Sequence, residues 1–373
     1  MSRRDEKSAA KAFKKSNADW RRLVVFAEGR SDYAHLGPVV ERLIDHHDIP
    51  ISYLTGEADD PVLDGDHPNL AAYNIGSGSV RNVLLRDLRA KMLLTTTPDF
   101  DTFAVKRSLH DVHYVYLFHA VVSTHMVYRP GAFDAFDTVL CVGPHHAREI
   151  RAAEERGGGR RRRLVKHGYG RVDALAAEAA TQVPEPGVVV VAGSWGENAF
   201  METPVGRTIL ERLLAADYEV IVRLHPMTKR RLPELAFELS RDYGGDGRLR
   251  VETDMRDRSS LLRSSVLISD WSGAAFDYAL GMTRPVISID TPAKVNNPHW
   301  ADLGIDPIER QLRPQIGRVI DPAGLEALVP ALDDLQASVA DWKAALTERR
   351  DATIYNVGHS AEAAATWLAA AVR

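Results

Sequence analysis

Apolar, β-branched runs recur along the chain, and apolar residues at helical spacing follow most of them. Strands that are apolar throughout are covered on both faces, and their alternation with helices is typical of parallel sheets. We therefore predict an α/β chain of two doubly wound, Rossmann-like halves. The predicted strands are Leu23–Ala27, Ile49–Leu54, Lys91–Thr95, Val112–Phe118, Thr138–Val142, Val188–Ala192, Tyr218–Leu224, Val266–Ile268 and Pro285–Ile289.

The alternation stops between Ala177 and Gly187, where Pro184 and Pro186 stand close together. Prolines and a break in periodicity are typical of a linker between domains. After about residue 322 the chain becomes rich in Ala and Leu at helical spacing. The predicted organisation is a basic tail at 1–22, a first domain at 23–180, a hinge at 181–187, a second domain at 188–340, and closing helices at 341–373.

Composition limits the class of protein. A length of 373 residues is enough for two complete cores, and a net charge of −4 gives no general attraction to nucleic acid. A single cysteine, Cys141, excludes an internal disulfide and fits a reducing compartment. No signal peptide and no apolar run of membrane-spanning length are found in the sequence. We expect a cytoplasmic protein.

The first 22 residues carry eight lysines and arginines against three acidic residues. A solvated terminal tail is the favoured interpretation of this composition. The alternative is a basic helix on the inner face of the cell membrane, bound to anionic lipid, with Phe13 and Trp20 inserted.

Polar side chains follow four of the predicted strands directly. Ligands of doubly wound sheets bind at the carboxyl ends of strands, so these residues are candidates for a site. Three of the four groups lie in the second half, which predicts a ligand held mainly there and reached by His119. Each group by itself also fits a structural role. The four groups are His119; Ser194-Trp195-Gly196-Glu197; Arg223 with His225; and Ser269 to Gly273.

The segment from Val266 to Gly281 is the clearest of these. It reads as a buried strand, a polar turn and a helix that opens at Ser272, with Gly281 at the C-cap position. The N-terminus of a helix offers N–H groups and the positive end of the dipole, which suit a phosphate. Gly273 leaves room for a ligand close to the backbone. An ordinary capped turn is the alternative interpretation.

Several common motifs are absent from the sequence. It contains neither a P-loop nor a dinucleotide-binding glycine motif, and it has no zinc-binding cluster. Asp64-Gly65-Asp66 and Asp99-Phe100-Asp101 have the D-x-D form of metal-dependent sugar transferases, but both lie in loop-like sequence. We predict no metal and no cofactor.

Six segments, in the same order, resemble motifs of the CDP-glycerol glycerophosphotransferase family of teichoic-acid and capsule polymerases. The likeness runs from Leu23 to Asp290. The segments are Phe118-His119-Ala120; Ala135-Phe136-Asp137 with Pro144; Gly168-Tyr169-Gly170-Arg171-Val172-Asp173; Val191-Ala192-Gly193-Ser194-Trp195; Arg223-Leu224-His225-Pro226; and Ser269-Asp270-Trp271-Ser272 with Phe276-Asp277-Tyr278. The family's W-H-G is Phe-His-Ala here, Gly170 replaces a proline, and Gly273 replaces a serine.

The resemblance implies a GT-B fold, with two domains facing across a cleft and the nucleotide donor in the C-terminal domain. It implies metal-independent transfer of a polyol phosphate from a CDP-activated co-substrate to a hydroxyl of a saccharide or polyol-phosphate acceptor, with release of CMP. The implied catalytic residues are His119 and His225. The implied donor-binding residues are Ser194, Trp195, Gly196, Arg223, Ser269, Asp270, Trp271, Ser272, Gly273 and Asp277.

The acceptor side is predicted only from position. The turn after the first strand contains Glu28, Arg30, Ser31 and His35, which we assign to acceptor binding because they lie at a strand end. Two alternatives to the transferase stay open. One is a GT-B glycosyltransferase or epimerase that acts on a nucleotide sugar, and the other is a non-catalytic protein that binds nucleotide or polymer.

Overall fold

The computed structural model describes residues 2–255 and 257–373. In this part of the chain the strands are β1 Leu23–Ala27, β2 Ile51–Thr55, β3 Leu70–Asn74, β4 Met92–Thr95, β5 His113–Leu117, β6 Thr138–Cys141, β7 Arg163–Lys166, β8 Val188–Val191, β9 Glu219–Arg223, β10 Leu249–Glu252, β11 Val266–Ser269, β12 Val286–Ile289 and β13 Gly317–Ile320.

The α-helices are α1 Arg3–Lys15, α2 Tyr33–His46, α3 Ser79–Arg86, α4 Pro144–Gly157, α5 Gly170–Ala179, α6 Pro204–Ala215, α7 Pro226–Arg231, α8 Leu235–Tyr243, α9 Ser259–Arg263, α10 Gly273–Met282, α11 Ile308–Leu312, α12 Leu328–Ala337, α13 Val339–Thr353 and α14 Ser360–Val372. Short 3-10 turns connect several of these elements, among them Phe200–Glu202.

All pairs of adjacent strands in the two sheets are parallel. The first sheet has the order β3-β2-β1-β4-β5-β6-β7, and the second has the order β10-β9-β8-β11-β12-β13. The central strands β1 and β8 are buried along their whole length, because side chains cover both of their faces. The predicted class, two doubly wound α/β sheets with helices, is confirmed.

The chain divides into two compact units. Unit 1 holds the first sheet and comprises residues up to His119, Tyr128–Arg171 and Ile354–Arg373. Unit 2 holds the second sheet and comprises Ala120–Val127 and Val172–Thr353. The chain passes from unit 1 to unit 2 after Arg171, which is before the predicted hinge at 181–187.

The region 341–373 is helical as predicted, but its two helices, α13 and α14, belong to different units. Helix α13 belongs to unit 2, whereas α14 belongs to unit 1. Ala364, Ala365 and Leu368 of α14 lie in the core of unit 1 with residues of α2 and the first sheet. Burial of this apolar stripe explains why the last helix returns to the first half.

The prediction of a solvated N-terminal tail is wrong. Residues Arg3–Lys15 form α1, whose first turn is closed by a capping box between Ser2 and Asp5. Phe13 is 1% exposed and lies edge-on to the ring of Tyr73, so it is not available for insertion into lipid. The basic residues of α1 therefore sit on a packed helix.

Gly281 does not end α10 as predicted. It lies inside the helix, and the residue that ends the helix in the left-handed region is Thr283, with φ 52°. A Cβ atom at Gly281 would lie 2.8 Å from Cβ of Leu175. The glycine is therefore required by close packing of the α5 residue Leu175 against α10, and not by backbone conformation.

No helix in the described residues is long and apolar enough to span a membrane.

Candidate active site

The predicted donor-binding residues follow β8, β9 and β11 in unit 2. In the sheet, β8 lies between β9 and β11, and β12 lies next to β11. Since these strands are parallel, the segments after them emerge at the same edge of the sheet. The sequence therefore brings predicted residues from three separate segments to one edge of unit 2.

The Asp270 carboxylate organises the turn after β11. Its Oδ1 accepts hydrogen bonds from the N–H of Ser194 at 2.8 Å and of Ser272 at 3.1 Å, and its Oδ2 accepts from the Ser194 hydroxyl at 2.8 Å. Asp270 is 1% exposed, and burial raises the pKa of its carboxyl, while the hydrogen bonds from Ser194 oppose the rise. This aspartate connects the turn after β8 to the turn after β11.

Helix α10 begins directly after this turn. Ser272 is its N-cap, and the Ser272 hydroxyl accepts a hydrogen bond from the N–H of Ala274 at 3.3 Å. Gly273 is half-buried, and the nearest atom to a Cβ placed there is Cγ1 of Val122, at 3.7 Å. The N-terminus of α10 is thus capped by Ser272, and a Cβ at Gly273 would be in ordinary contact with Val122. A helix N-terminus of this kind is suited to an anion.

Replacement of Ser272 by alanine is expected to weaken donor binding more than it slows the reaction. The loss of an N-cap costs about 1 kcal/mol of unfolding free energy and disturbs the N–H groups of the first turn. Calorimetry with CDP-glycerol measures donor binding, initial rates at saturating donor measure the reaction, and denaturant unfolding measures the loss of the cap. Ser240→Ala is the control, because that hydroxyl donates to the carbonyl of Ala236 within a helix. An unchanged donor affinity in Ser272→Ala would contradict the phosphate site.

His225 follows β9 and is the N-cap of α7. Its Nδ1 accepts a hydrogen bond from the N–H of Met227 at 3.0 Å, so the neutral imidazole carries its proton on Nε2. The His225 ring lies 6.1 Å from the indole of Trp195, between centroids. Burial and then the charge of Lys294 lower the pKa of His225 to about 4. His225 is therefore a neutral hydrogen-bond donor at pH 7.

Lys294 and Glu202 belong to the same group of residues, but the sequence analysis missed both. The Lys294 ammonium lies 4.1 Å from the centroid of the Trp195 ring. Burial lowers the pKa of Lys294, and the carboxylates of Asp270 and Glu202 oppose that effect. Lys294 follows β12, so the rule of strand ends used for the other residues could have found it.

Glu202 supports the turn after β8. Its Oε1 accepts hydrogen bonds from the N–H of Gly196 at 3.2 Å and from the Thr228 hydroxyl at 2.6 Å. Gly196 has φ 115°, in the region that favours glycine, and a Cβ there would meet nothing within 4 Å. The turn that contains Trp195 is thus held to the first turn of α7.

The structure directs two of the predicted donor ligands elsewhere. The Arg223 guanidinium donates to Glu252 at 2.5 Å and to the Ser260 hydroxyl at 2.7 Å. Glu252 is on β10, which lies on the side of β9 opposite to β8, so the guanidinium turns away from the turn after β11. The Ser269 hydroxyl donates to the carbonyl of Ala192 at 2.6 Å and is buried. Both residues hold the sheet edge together.

Trp271 and Asp277 complete the predicted donor residues. The Trp271 indole N–H donates to the carbonyl of Thr291 at 2.7 Å, and the Arg313 guanidinium lies 4.0 Å from the centroid of its ring. Arg313 in turn donates to Asp290 at 2.9 Å. Asp277 is half-buried on α10. These contacts tie the turn after β11 to the segment after β12.

In unit 1 the structure brings together two of the predicted residues. The rings of His35 and His119 lie 5.2 Å apart between centroids. Glu28, Arg30 and Ser31 are exposed. The Arg30 guanidinium is paired with Asp59 at 2.6 Å, and the Glu28 N–H donates to Asp32 at 2.8 Å. His119 therefore has a neighbouring imidazole, which its position in the sequence did not reveal.

Burial lowers the pKa of His119 to about 4, and a hydrogen bond with the Leu117 backbone opposes the shift. The imidazole is neutral at pH 7 and can accept a proton. Among the residues that the structure describes, no group of three or more His, Cys, Asp or Glu side chains could hold a metal ion.

Known proteins resemble this chain in sequence and in fold. The family model described as CDP-Glycerol:Poly(glycerophosphate) glycerophosphotransferase matches residues 88–291, which is more than half of the chain. The matched range contains every predicted residue from His119 to Asp277. No curated protein matches the sequence.

Among solved structures, a histidine-to-asparagine variant of the wall teichoic acid polymerase TagF soaked with CDPG has a TM-score of 0.63 at 16% identity, covering 99% of this chain and 94% of that one. A putative UDP-N-acetylglucosamine 2-epimerase from Listeria monocytogenes has a TM-score of 0.59 at 16% identity, and the match covers 92% of this chain and 94% of that one. The UDP-GlcNAc 2-epimerase of Methanocaldococcus jannaschii, in complex with UDP-GlcNAc and UDP, has a TM-score of 0.53 at 14% identity. The match covers 91% of this chain and 97% of that one.

At such low identities the structural likeness establishes the fold, and it confirms the predicted GT-B class. The family match is carried by the sequence itself and spans the strand ends described above. The chain is therefore a member of the CDP-glycerol:poly(glycerophosphate) glycerophosphotransferase family.

Proposed function

We propose that this protein transfers glycerol phosphate, or a related polyol phosphate, from a CDP-activated donor to an acceptor hydroxyl and releases CMP. The acceptor belongs to a cell-surface polysaccharide or a teichoic-acid-like polymer. One observation carries the proposal: the capped N-terminus of α10, the His225 imidazole and the neighbouring Lys294 ammonium lie at the same edge of unit 2. All three are suited to a diphosphate.

The donor diphosphate would lie against the N-terminus of α10, where Ser272 and Gly273 leave the first turn open to it. Lys294 would balance its charge. The half-buried Trp195 would border the site, because its ring already lies beside both Lys294 and His225. Asp270 would act indirectly, by holding the turns that carry Ser194 and Ser272.

In the reaction, the acceptor oxygen attacks the phosphorus that bears the polyol, and the bond from that phosphorus to the CMP oxygen breaks. His119 takes the proton of the attacking hydroxyl. Negative charge builds on the departing CMP phosphate, and the Nε2–H of His225 together with Lys294 stabilises it. Arg223 supports this site through its ion pair with Glu252 and is not a direct ligand in this proposal.

A screen of donors tests the proposal. We expect CMP release from CDP-glycerol or CDP-ribitol in the presence of acceptor, since both present a diphosphate and a polyol. UDP-sugars and CMP-sugars serve as competing donors. Release of UDP from a UDP-sugar, or epimerisation of the sugar, without turnover of any CDP-polyol would refute the proposal and favour the nucleotide-sugar alternative.

We also propose that no metal takes part. In this proposal the Nε2–H of His225 and the Lys294 ammonium would supply the charge stabilisation that a metal ion supplies in metal-dependent transferases. EDTA is therefore expected to leave the rate of CMP release unchanged. Strong inhibition that is restored by Mg²⁺ or Mn²⁺ would contradict this proposal and make the D-x-D segments at Asp64 and Asp99 candidates for a metal site again.

A membrane surface is the proposed location of the reaction. Five basic residues of α1 border a groove of about 380 Å³ with apolar residues of α3, of which Val83 is 64% exposed. Cations around an apolar surface suit anionic lipid. The basic residues are Arg3, Lys7, Lys11, Lys14 and Lys15.

Exchange of Lys7 and Lys11 for glutamate is expected to reduce sedimentation with vesicles of phosphatidylglycerol. Each removed cation costs about 1 kcal/mol of lipid binding, and both lysines are exposed on α1. Vesicles of phosphatidylcholine and the exchange of Arg241 and Lys343 of unit 2 for glutamate are the controls. Equal binding of both charge-reversed proteins to anionic vesicles would contradict a membrane contact at α1.

A further inference from the structure

Lys294 lies in an irregular segment that leaves the second sheet. This segment runs from the end of β12 to the 3-10 turn Trp300–Leu303. The Lys294 ammonium nevertheless has a defined place, 4.1 Å from the centroid of the Trp195 ring, and its side chain is half-buried. A lysine side chain has many rotamers, so holding it in one place costs conformational entropy. The contacts that fix the segment therefore decide where the ammonium lies.

The segment is fastened before Lys294 by the turn after β11. The indole N–H of Trp271 donates to the carbonyl of Thr291 at 2.7 Å, and Thr291 is buried. Trp271 precedes Ser272, the N-cap of α10. The first part of the segment is thus tied to the turn at which the donor diphosphate is proposed to bind.

The segment is fastened after the lysine by two adjacent asparagines. The backbone N–H groups of Asn296 and Asn297 both donate to the carbonyl of Met126, at 3.0 and 3.2 Å. The side-chain amide of Asn296 donates to the carbonyl of Val127 at 2.7 Å, and that of Asn297 donates to the carbonyl of His125 at 2.8 Å. These hydrogen bonds join the segment to three successive carbonyls of a distant part of the chain.

Those carbonyls belong to a stretch that is itself fixed in unit 2. Residues Ala120–Val127 belong to unit 2, although the residues on both sides of them belong to unit 1, and we call this stretch the excursion. Glu309, which is 1% exposed on α11, accepts from the N–H and the hydroxyl of Ser123 at 2.9 and 3.2 Å. The Nε2–H of His125 donates to the carbonyl of Ile305 at 3.0 Å. The excursion is therefore a firm support for the segment.

The excursion also borders the N-terminus of α10. Val122 is 7% exposed, and its Cγ1 would lie 3.7 Å from a Cβ placed at Gly273. The excursion thus lies beside the proposed phosphate site at one point and holds the segment of Lys294 at another. A single stretch of chain connects the two positive groups that are proposed to face the diphosphate.

We propose that Asn296 and Asn297 are positioning residues for the transfer reaction, because they hold the Lys294 ammonium at the donor diphosphate by fastening its segment to the excursion. This inference rests on the proposed function, in which Lys294 balances the charge of the diphosphate. Neither asparagine contacts the donor in this proposal. Loss of their side-chain hydrogen bonds would let the ammonium leave the indole of Trp195, while the backbone bonds to Met126 are kept.

One test needs no nucleotide. The indole N–H signal of Trp195 in the NMR spectrum of the full chain, assigned with Trp195→Phe, reports the cation beside the ring. We expect Lys294→Ala and the paired exchange Asn296→Ala/Asn297→Ala to shift this signal in the same direction. In a Lys294→Ala protein the paired exchange should cause no further shift. An unmoved signal after the paired exchange, or an equal shift with and without Lys294, would overturn the proposal.

Calorimetry with CDP measures the consequence for binding. Lys294→Ala is expected to weaken CDP binding about tenfold or more, because the diphosphate loses a charged partner. The paired exchange should weaken CDP binding about three- to tenfold in the wild-type background. It should change it by less than about twofold in the Lys294→Ala background, because both changes act through one group. Fully additive losses would show that the asparagines act on the fold and not on Lys294, and would overturn the proposal.

Asn69→Ala is the matched control, since the amide of Asn69 donates to the Asp48 carboxylate at 2.9 Å in unit 1. We expect it to leave both readouts unchanged, and a loss as large as that of the paired exchange would contradict the assigned role. Thermal unfolding checks that each variant is folded. If the paired exchange does not fold, Asn297→Ala is used alone, because Asn296 then keeps its bond to Val127.

These readouts do not depend on transfer. If CDP-polyols are not turned over while the Trp195 signal and CDP binding depend on the asparagines only through Lys294, the proposed reaction is wrong and the positioning role stands. If transfer is observed while the losses are additive, only the positioning role fails.

Discussion

Replacement of His225 by alanine is expected to lower kcat for CMP release by about 10²–10³-fold. The neutral imidazole donates from Nε2, because its Nδ1 accepts the N–H of Met227. That donor would lie where charge builds on the departing CMP, and its contribution is greater in the transition state than in the bound donor. Initial rates at saturating CDP-glycerol and acceptor measure the loss.

The N-cap role of His225 requires a second variant. His225→Asn keeps a side-chain acceptor for the first turn of α7, since asparagine is a good N-cap, but it removes the imidazole. We expect it to unfold at nearly the wild-type temperature and to remain slow. His299→Ala, an exposed histidine of the same unit, is the control. Near-normal turnover of folded His225→Asn would rule out the assigned role.

Replacement of His119 by alanine is expected to lower kcat by about 10²–10⁴-fold, the usual contribution of a general base. The His119 imidazole is neutral over the physiological range because burial lowers its pKa to about 4. Activity of the wild-type protein should therefore fall only as the pH approaches that value. If His119→Ala has the wild-type rate at saturating donor and acceptor, another group must be the base.

The same histidine contributes to the pH dependence of stability. A histidine that is neutral in the folded protein and has an ordinary pKa near 6.5 in the unfolded chain binds a proton preferentially when unfolded. The unfolded state thus gains protons as the pH falls below about 6.5. The free energy of unfolding therefore decreases as the pH falls from there to the pKa values of the folded protein. These are about 3 for His35 and about 4 for His119 and His225. His119→Ala should make this decrease shallower, as denaturant unfolding at several pH values can measure.

The central strands were predictable from the sequence, whereas four others were not. The strands that the sequence analysis missed are β3, β7, β10 and β13, and these are the edge strands of the two sheets. An edge strand has fewer neighbours to cover it, so it tolerates exposed and charged residues such as those of Arg163–Lys166. Without a continuous apolar run, such a segment cannot be told from a loop.

Strand ends identified the site residues, but not the direction of each side chain. Arg223 and His225 are two positions apart at the end of β9, yet the guanidinium reaches Glu252 on β10 while the imidazole lies beside Trp195. Lys294, far along the chain, reaches the same indole. Sequence spacing places a residue on an edge, and only its neighbours decide which partner it meets.

The sequence by itself determined the two parallel sheets, the capped turn from Asp270 to Gly273, the two candidate histidines and the family. These depend on local patterns: apolar runs, a capping side chain and a motif at short spacing. The tertiary structure alone decided that α14 packs in unit 1, that Lys294 joins His225, and that His35 lies against His119. Those contacts join residues distant in the chain, and they follow from the burial of apolar surface, which no local pattern specifies.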